Sequence, residues 1–182
     1  MKKEHKKEIT DEKVLEAAAE AKEKLPIVKK EKGGIVVKGI DDVAVRFAKC
    51  CSPIPGDEIV GFVTRGRGVT IHRTDCVNVM NLSESERVRL IDAEWQGSNL
   101  TSGLYTAEIN VYANNRTGLL VDISKIFTER KIDVSAVSSR TNKQGLATIS
   151  MEFQVPGKAT LNYLIDKIRQ VESVIDIERS TG

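Results

Sequence analysis

Thr106-Ala-Glu-Ile-Asn-Val-Tyr-Ala-Asn-Asn-Arg-Thr-Gly-Leu-Leu-Val-Asp-Ile-Ser-Lys-Ile-Phe127 reads in two periods with a joint between them. Ala107, Ile109, Val111 and Ala113 alternate with polar residues, so one face of an extended segment is apolar. From Leu119 the spacing changes, and Leu119, Leu120, Ile123, Ile126 and Phe127 share one stripe of a helix. The pattern then continues. Ile132, Val134 and Ala136 alternate, as do Ala147, Ile149, Met151, Phe153 and Val155. Leu161, Leu164, Ile165, Ile168 and Val171 give a second helix, and Val174 to Arg179 a last strand. Strand, helix, strand, strand, helix, strand predicts a ferredoxin-like α+β domain over 104–182, with both helices on one face of four antiparallel strands. Thr106, Glu108, Asn110, Tyr112, Thr148, Ser150 and Glu152 then face solvent or a partner.

Working back toward the start, the polar, glycine-flanked run 97–103 predicts a linker. Residues 33–96 predict a small β-rich domain of short pieces. Ile35-Val-Val-Lys38 reads as one strand, and Val43, Val45 and Phe47 as a half-buried strand running toward Cys50. Ser52-Pro-Ile-Pro-Gly56 reads as turn, because proline fixes φ and removes a donor. Glu58 to Thr64 and Gly68 to His72 read as a hairpin around Arg65-Gly-Arg-Gly68. A short helix over 75–82 and a closing strand over 88–95 complete it. Residues 1–32 predict a charged tail and a linker helix, starting at Thr10 and stopping before Pro26.

Composition narrows the function classes. Among 182 residues, 28 are basic and 26 acidic, a net charge of +2, which excludes a polycationic binder but permits local basic patches. Aromatic residues make up 4%, too few for extensive base-stacking platforms. No apolar run approaches the roughly 20 residues needed to span a bilayer, and the charged start has no apolar core of a secretory signal. Three cysteines, two of them adjacent, make a poor disulfide framework and favour a reducing, cytoplasmic setting.

Three constellations carry chemistry. Cys50, Cys51, His72 and Cys76 supply four soft ligands, enough for a tetrahedral zinc site. Adjacent residues on a strand point to opposite faces, so Cys50 and Cys51 can share one ion only if the chain breaks there, as Ser52-Pro53 would allow. The alternative is that one cysteine is simply a small buried hydrophobe. Lys49, Arg65, Arg67, His72 and Arg73 can form a basic face around a glycine turn, with arginine matched to phosphate geometry; the plainer alternative is a hairpin tip charged for solubility. Asn114, Asn115, Arg116, Gly118, Leu119 and Leu120 sit at a strand-to-helix junction, whose free N–H groups can take a carboxylate. Ile132 and Val134 would add an apolar wall suited to a branched side chain. The alternative there is that Asn115 caps the helix and Gly118 eases packing. No GxGxxG or P-loop occurs, so no motif argues for nucleotide binding, and beyond the cysteine cluster there are no paired catalytic groups, so the chain is expected to be non-catalytic.

Two of these stretches resemble a known family. Asn115-Arg-Thr-Gly-Leu-Leu120 resembles the ACT-domain motif Asp-Arg-Pro-Gly-Leu-Leu, with Asn115 for the acid and Thr117 for the proline. Lys49-Cys-Cys-Ser-Pro-Ile-Pro-Gly56 through His72-Arg-Thr-Asp-Cys76 resembles the RIS domain, also called the CC or zinc-finger domain, of long RelA/SpoT homologues. These are bifunctional (p)ppGpp synthetase/hydrolases, or GTP pyrophosphokinases, of the bacterial stringent response. In them RIS is followed directly by ACT. The resemblance covers about residues 33–181, and the hydrolase, synthetase, TGS and helical domains would lie upstream. It implies a C-terminal regulatory fragment that docks on ribosomal A-site RNA and deacylated tRNA, senses valine or isoleucine, or forms a homodimer. A stand-alone amino-acid-sensing ACT module, acting by ligand-driven oligomerisation without RNA contact, is the alternative.

Overall fold

The computed structural model describes residues 34–40, 43–96 and 103–180. The expected lead-in and helix of 1–32, and most of the expected linker, lie outside the described residues.

In the first half, five strands form one curled sheet in the order β1-β5-β3-β4-β2. They are β1 (Ile35–Val37), β2 (Val45–Phe47), β3 (Ile59–Thr64), β4 (Gly68–Arg73) and β5 (Leu90–Trp95). The expected hairpin is β3–β4, closing at Thr64 opposite Gly68, where the Thr64 hydroxyl donates to the Gly68 carbonyl at 2.7 Å. The second strand is shorter than the alternation suggests. It runs parallel to β4 for three residues, and Phe47 is 38% exposed. The expected helix over 75–82 becomes two short ones, α1 (Val77–Met80) and α2 (Glu84–Arg87). Ser83 restarts the second with a capping box, its side chain and backbone paired with Glu86.

The second half is the ferredoxin-like fold. Strands β6 (Tyr105–Asn114), β7 (Val134–Thr141), β8 (Leu146–Val155) and β9 (Val174–Arg179) lie in the order β7-β8-β6-β9, all antiparallel. Helices α3 (Leu119–Glu129) and α4 (Lys158–Arg169) bury Leu119, Ile123, Phe127, Leu161, Leu164 and Ile168. The inward positions of β6 and β8 are those the alternation named: Ala107, Ile109, Val111, Ala113, Ala147, Ile149, Met151, Phe153 and Val155 are all buried. Phe127 meets Phe153 edge to face at 4.9 Å between ring centres, a geometry aromatic pairs prefer. The third strand departs from expectation at its start. Ile132 belongs to the turn after α3, and a bulge between Val134 and Ala136 breaks the simple alternation there.

The turn Ser52–Gly56 is a turn, as proline dictates, but not a surface one. Pro53, Ile54 and Pro55 are all buried, and Ile54 is part of the core of the ferredoxin-like half.

Candidate metal centre

The chain does break at the paired cysteines. Ser52 donates its N–H back to the Ala48 carbonyl at 3.0 Å, closing a turn over 48–52, and Ser52 takes a left-handed φ of 42°. Cys50 and Cys51 therefore stand on a turn rather than a strand, and both thiols point the same way. Strand β4 brings the third donor. Its alternation buries Val69, Ile71 and Arg73 and leaves Thr70 and His72 half-buried on the opposite side. The fourth, Cys76, is the N-cap of α1, fully buried beneath Val79.

The four donor atoms converge. Cys50 Sγ lies 3.4 Å from His72 Nδ1 and 3.5 Å from Cys76 Sγ, and Cys51 Sγ lies 3.9 Å from His72 Nδ1. All four lie within 4.8 Å of one another. A tetrahedral zinc with Zn–S near 2.3 Å and Zn–N near 2.0–2.1 Å sets its ligand atoms roughly 3.5–3.8 Å apart. The cluster fits such an ion with small inward movements. A Cys₃His set also suits zinc by softness.

Burial acts on two of the donors. It pushes the Cys51 thiol up to about 12, with the neighbouring Cys50 and Cys76 thiols adding to the rise, against a lowering hydrogen bond from the Arg73 N–H. Burial lowers His72, which leaves a neutral imidazole able to ligate. Left alone, Cys51 disfavours its thiolate. A divalent cation reverses that preference, because the coordinated thiol is deprotonated outright.

The turn that carries Cys50 and Cys51 runs straight into the contact with the second half. Asp57, 6% exposed, accepts from the Ile54 N–H at 2.9 Å and from Arg179 Nη1 of β9 at 2.7 Å. Arg179 Nη2 also donates to the Ser52 carbonyl at 3.2 Å. The Pro55 carbonyl accepts from the Lys158 N–H at 2.8 Å, at the first turn of α4. Gly56 holds a φ of 99°, and a Cβ there would stand 2.9 Å from Lys158 Cβ. Trp95 Nε1 donates to the Asp57 carbonyl at 2.9 Å, and its ring packs with Phe47 and with Tyr105 of β6. None of Ile54, Asp57, Trp95 or Arg179 is singled out by sequence reasoning. The one signal was an apolar Ile54 between two prolines in a stretch otherwise built for a surface turn.

The basic residues divide. Arg65 and Arg67 are exposed at the hairpin tip, but Lys49 is exposed at the opposite end of β4, beside the paired cysteines, so the three do not make one compact face. Arg73 joins neither group. It is 7% exposed, paired with Asp75, and donates to the Ser180 carbonyl at 3.3 Å. His72 is turned toward the thiols.

At the strand-to-helix loop, Gly118 takes a left-handed φ of 79° as N-cap of α3, and no side chain caps that helix. Asn114 and Asn115 are exposed, Leu119 is buried, Leu120 is 39% exposed, and Ile132 and Val134 pack partly against the core. Asn115 therefore does not cap the helix. Arg116 is committed to its own chain, to Asp122 at 2.9 Å, Ser173 at 2.9 Å and the Glu172 carbonyl at 3.2 Å. The Arg116 guanidinium in turn holds the Asp122 carboxyl below its ordinary value.

Comparison with known proteins agrees with the two halves. Residues 35–96 match the RelA/SpoT RIS domain, and residues 101–179 match the ACT domain. GTP pyrophosphokinase of Escherichia coli strain K12 is 42% identical over 154 residues, covering 84% of this chain and 20% of the relative. GTP pyrophosphokinase of Streptomyces coelicolor is 38% identical over 149 residues, covering 82% of this chain and 17% of the relative. The chain thus spans about a fifth of the length of the curated relatives it matches. Among solved structures, the ACT domain from GTP pyrophosphokinase of Chlorobium tepidum is 22% identical with a TM-score of 0.39, over 42% of this chain and 99% of that one.

Proposed function

Since this chain belongs to the RelA/SpoT family through its paired RIS and ACT domains, we propose that it is a non-catalytic regulatory region of a GTP pyrophosphokinase, steering synthesis against hydrolysis of (p)ppGpp. The supporting observation is the pairing itself: both domains lie in one chain at 42% identity to a GTP pyrophosphokinase across nearly all their length. Cys50, Cys51, His72 and Cys76 hold a structural zinc in this reading. The ion supplies no reaction, and its work is to cross-link the turn, β4 and the start of α1. Among residues 33–96 and 104–182, taken as the two domains, the first presents the RNA-facing surface. Arg65 and Arg67 lie at the hairpin tip, where arginine can meet phosphate oxygens and the glycine turn allows close approach, and Lys49 lies beside the cross-linked turn at the other end of β4.

The test is co-sedimentation of the chain with ribosomes carrying deacylated tRNA across a salt series. Binding that weakens steeply with salt, and fails in an Arg65→Glu, Arg67→Glu variant, supports docking, since each phosphate contact adds to the salt slope. Both tip residues are exposed, so this variant should fold as the parent does. Undiminished binding by that variant would send the search to another surface. A second reading has one observation in its favour. The N-terminus of α3 lacks a side-chain cap, and although the Leu119 N–H donates to the Arg116 carbonyl at 3.3 Å, those of Leu120 and Val121 are left for a carboxylate such as that of valine or isoleucine. Titration calorimetry with both amino acids decides it.

A further inference from the structure

The turn that carries two of the metal ligands is also the piece that closes the core of the ACT domain. We infer that loading of the Cys/His site and docking of the ACT domain are one coupled equilibrium, with Asp57 and Arg179 as its positioning residues; this rests on the reading of the cluster as a zinc site.

The coupling follows from how few bonds separate the two functions. Cys51 is a ligand, and three residues later Ile54 is fully buried among Ile109, Phe153, Leu161 and other residues of the ACT core. Pro55 then supplies the carbonyl that satisfies the Lys158 N–H at the start of α4. Helix N-termini leave such donors unpaired unless something caps them, and here the cap comes from the other domain. Gly157 makes this approach possible, since a Cβ there would stand 3.2 Å from the Pro55 carbonyl oxygen. Asp57 and Arg179, with side chains 4% and 12% exposed, form a buried pair across the junction, and Arg179 also grips the Ser52 carbonyl next to Cys51. A second strut leaves the metal site directly. Arg73 follows the ligand His72, gives its N–H to Cys51 Sγ, and reaches the Ser180 carbonyl beyond β9.

A chain free to unwind over 50–57 loses all of these at once except the Arg73–Ser180 bond. An ion that fixes Cys50 and Cys51 onto His72 and Cys76 removes that freedom. By linkage, whatever zinc does for docking, docking must do for zinc.

The experiment uses the whole chain. Zinc affinity is measured by competition with a chromophoric chelator for the parent, for Asp57→Asn and for Arg179→Met, neither of which touches the cluster. Arg179→Lys, which keeps the charge but cannot bridge Asp57 and the Ser52 carbonyl together, serves if Arg179→Met proves unfolded by circular dichroism. Amide hydrogen exchange of the parent is followed with zinc and after its removal. We expect zinc bound about tenfold more weakly by the variants, within the usual range for coupled sites. We also expect faster exchange at Lys158 and Leu161 of the zinc-free parent, with the central amides of β6 unmoved. Affinities within twofold of the parent, together with unchanged exchange at Lys158, overturn the coupling while leaving the zinc site standing. A parent that binds no zinc overturns both.

Discussion

The ACT domain and the RIS domain solve the same problem with unequal means. Among the described residues, the ACT core gathers seventeen buried side chains, Ile54 of the other domain among them, between four strands and two helices. The RIS sheet closes over four: Ile35, Val69, Ile71 and Ala93, with a separate knot of Ala48, Cys51 and Cys76. A core that small supplies only about 3–5 kcal/mol in a domain of this size, and such domains need staples. The RIS domain has two on offer, the Cys/His cluster and the docking turn, and they share one stretch of chain.

That difference can be broken experimentally, and the largest effect should come from the metal. Stripping zinc with a strong chelator removes a contribution on the order of 10 kcal/mol from the RIS fold. The β3–β4 hairpin amides should then lose their protection while the ACT sheet keeps its own, as read by two-dimensional NMR. Loss of both sheets together would mean the ACT domain is no sturdier than its neighbour. Next comes Ile54→Ala, which opens a cavity in the ACT core from outside the ACT domain. It should cost about 2–5 kcal/mol in denaturant unfolding, as for any buried isoleucine. A cost near zero would show that Ile54 only rests on the core.

The smallest effect sharpens the comparison from the ACT side. Arg116 holds the Asp122 carboxyl below its ordinary value of 3.8. A carboxyl lowered in the folded state adds stability above that value, and loses it as the pH falls through the folded one. In Arg116→Ala the Asp122 titration, followed by carbon NMR, should move up toward the ordinary value, and the acid-side loss of stability should shrink. An unmoved Asp122 would mean that Lys125, 3.5 Å from its other oxygen, suffices alone.

What could be read in advance differs between the halves for the same physical reason. Ala107 to Ala113 and Ala147 to Val155 announce themselves because each strand buries one whole face, and burial imposes strict alternation. Leu119 to Phe127 does so at helical spacing. Val45 and Phe47 misled over their length, because a three-residue strand at the sheet edge buries too little to enforce a pattern. The four candidate donors were nameable from residue type, but their convergence was not. It depends on the left-handed Ser52, which no periodicity records. Arg73 looked like its neighbours Arg65 and Arg67, yet strand alternation from Ile71 turns it inward. Asp57 and Arg179 stand 122 residues apart, and only the assembled junction pairs them.

The most direct test of the account is the metal content of the whole chain, purified without chelator. Native mass spectrometry should show one zinc per chain, and X-ray absorption at the zinc edge should show three sulfurs near 2.3 Å and one nitrogen near 2.0–2.1 Å. Cys76→Ser should lose the ion or replace one sulfur. A metal-free parent, or zinc retained by Cys76→Ser with an unaltered spectrum, would contradict it.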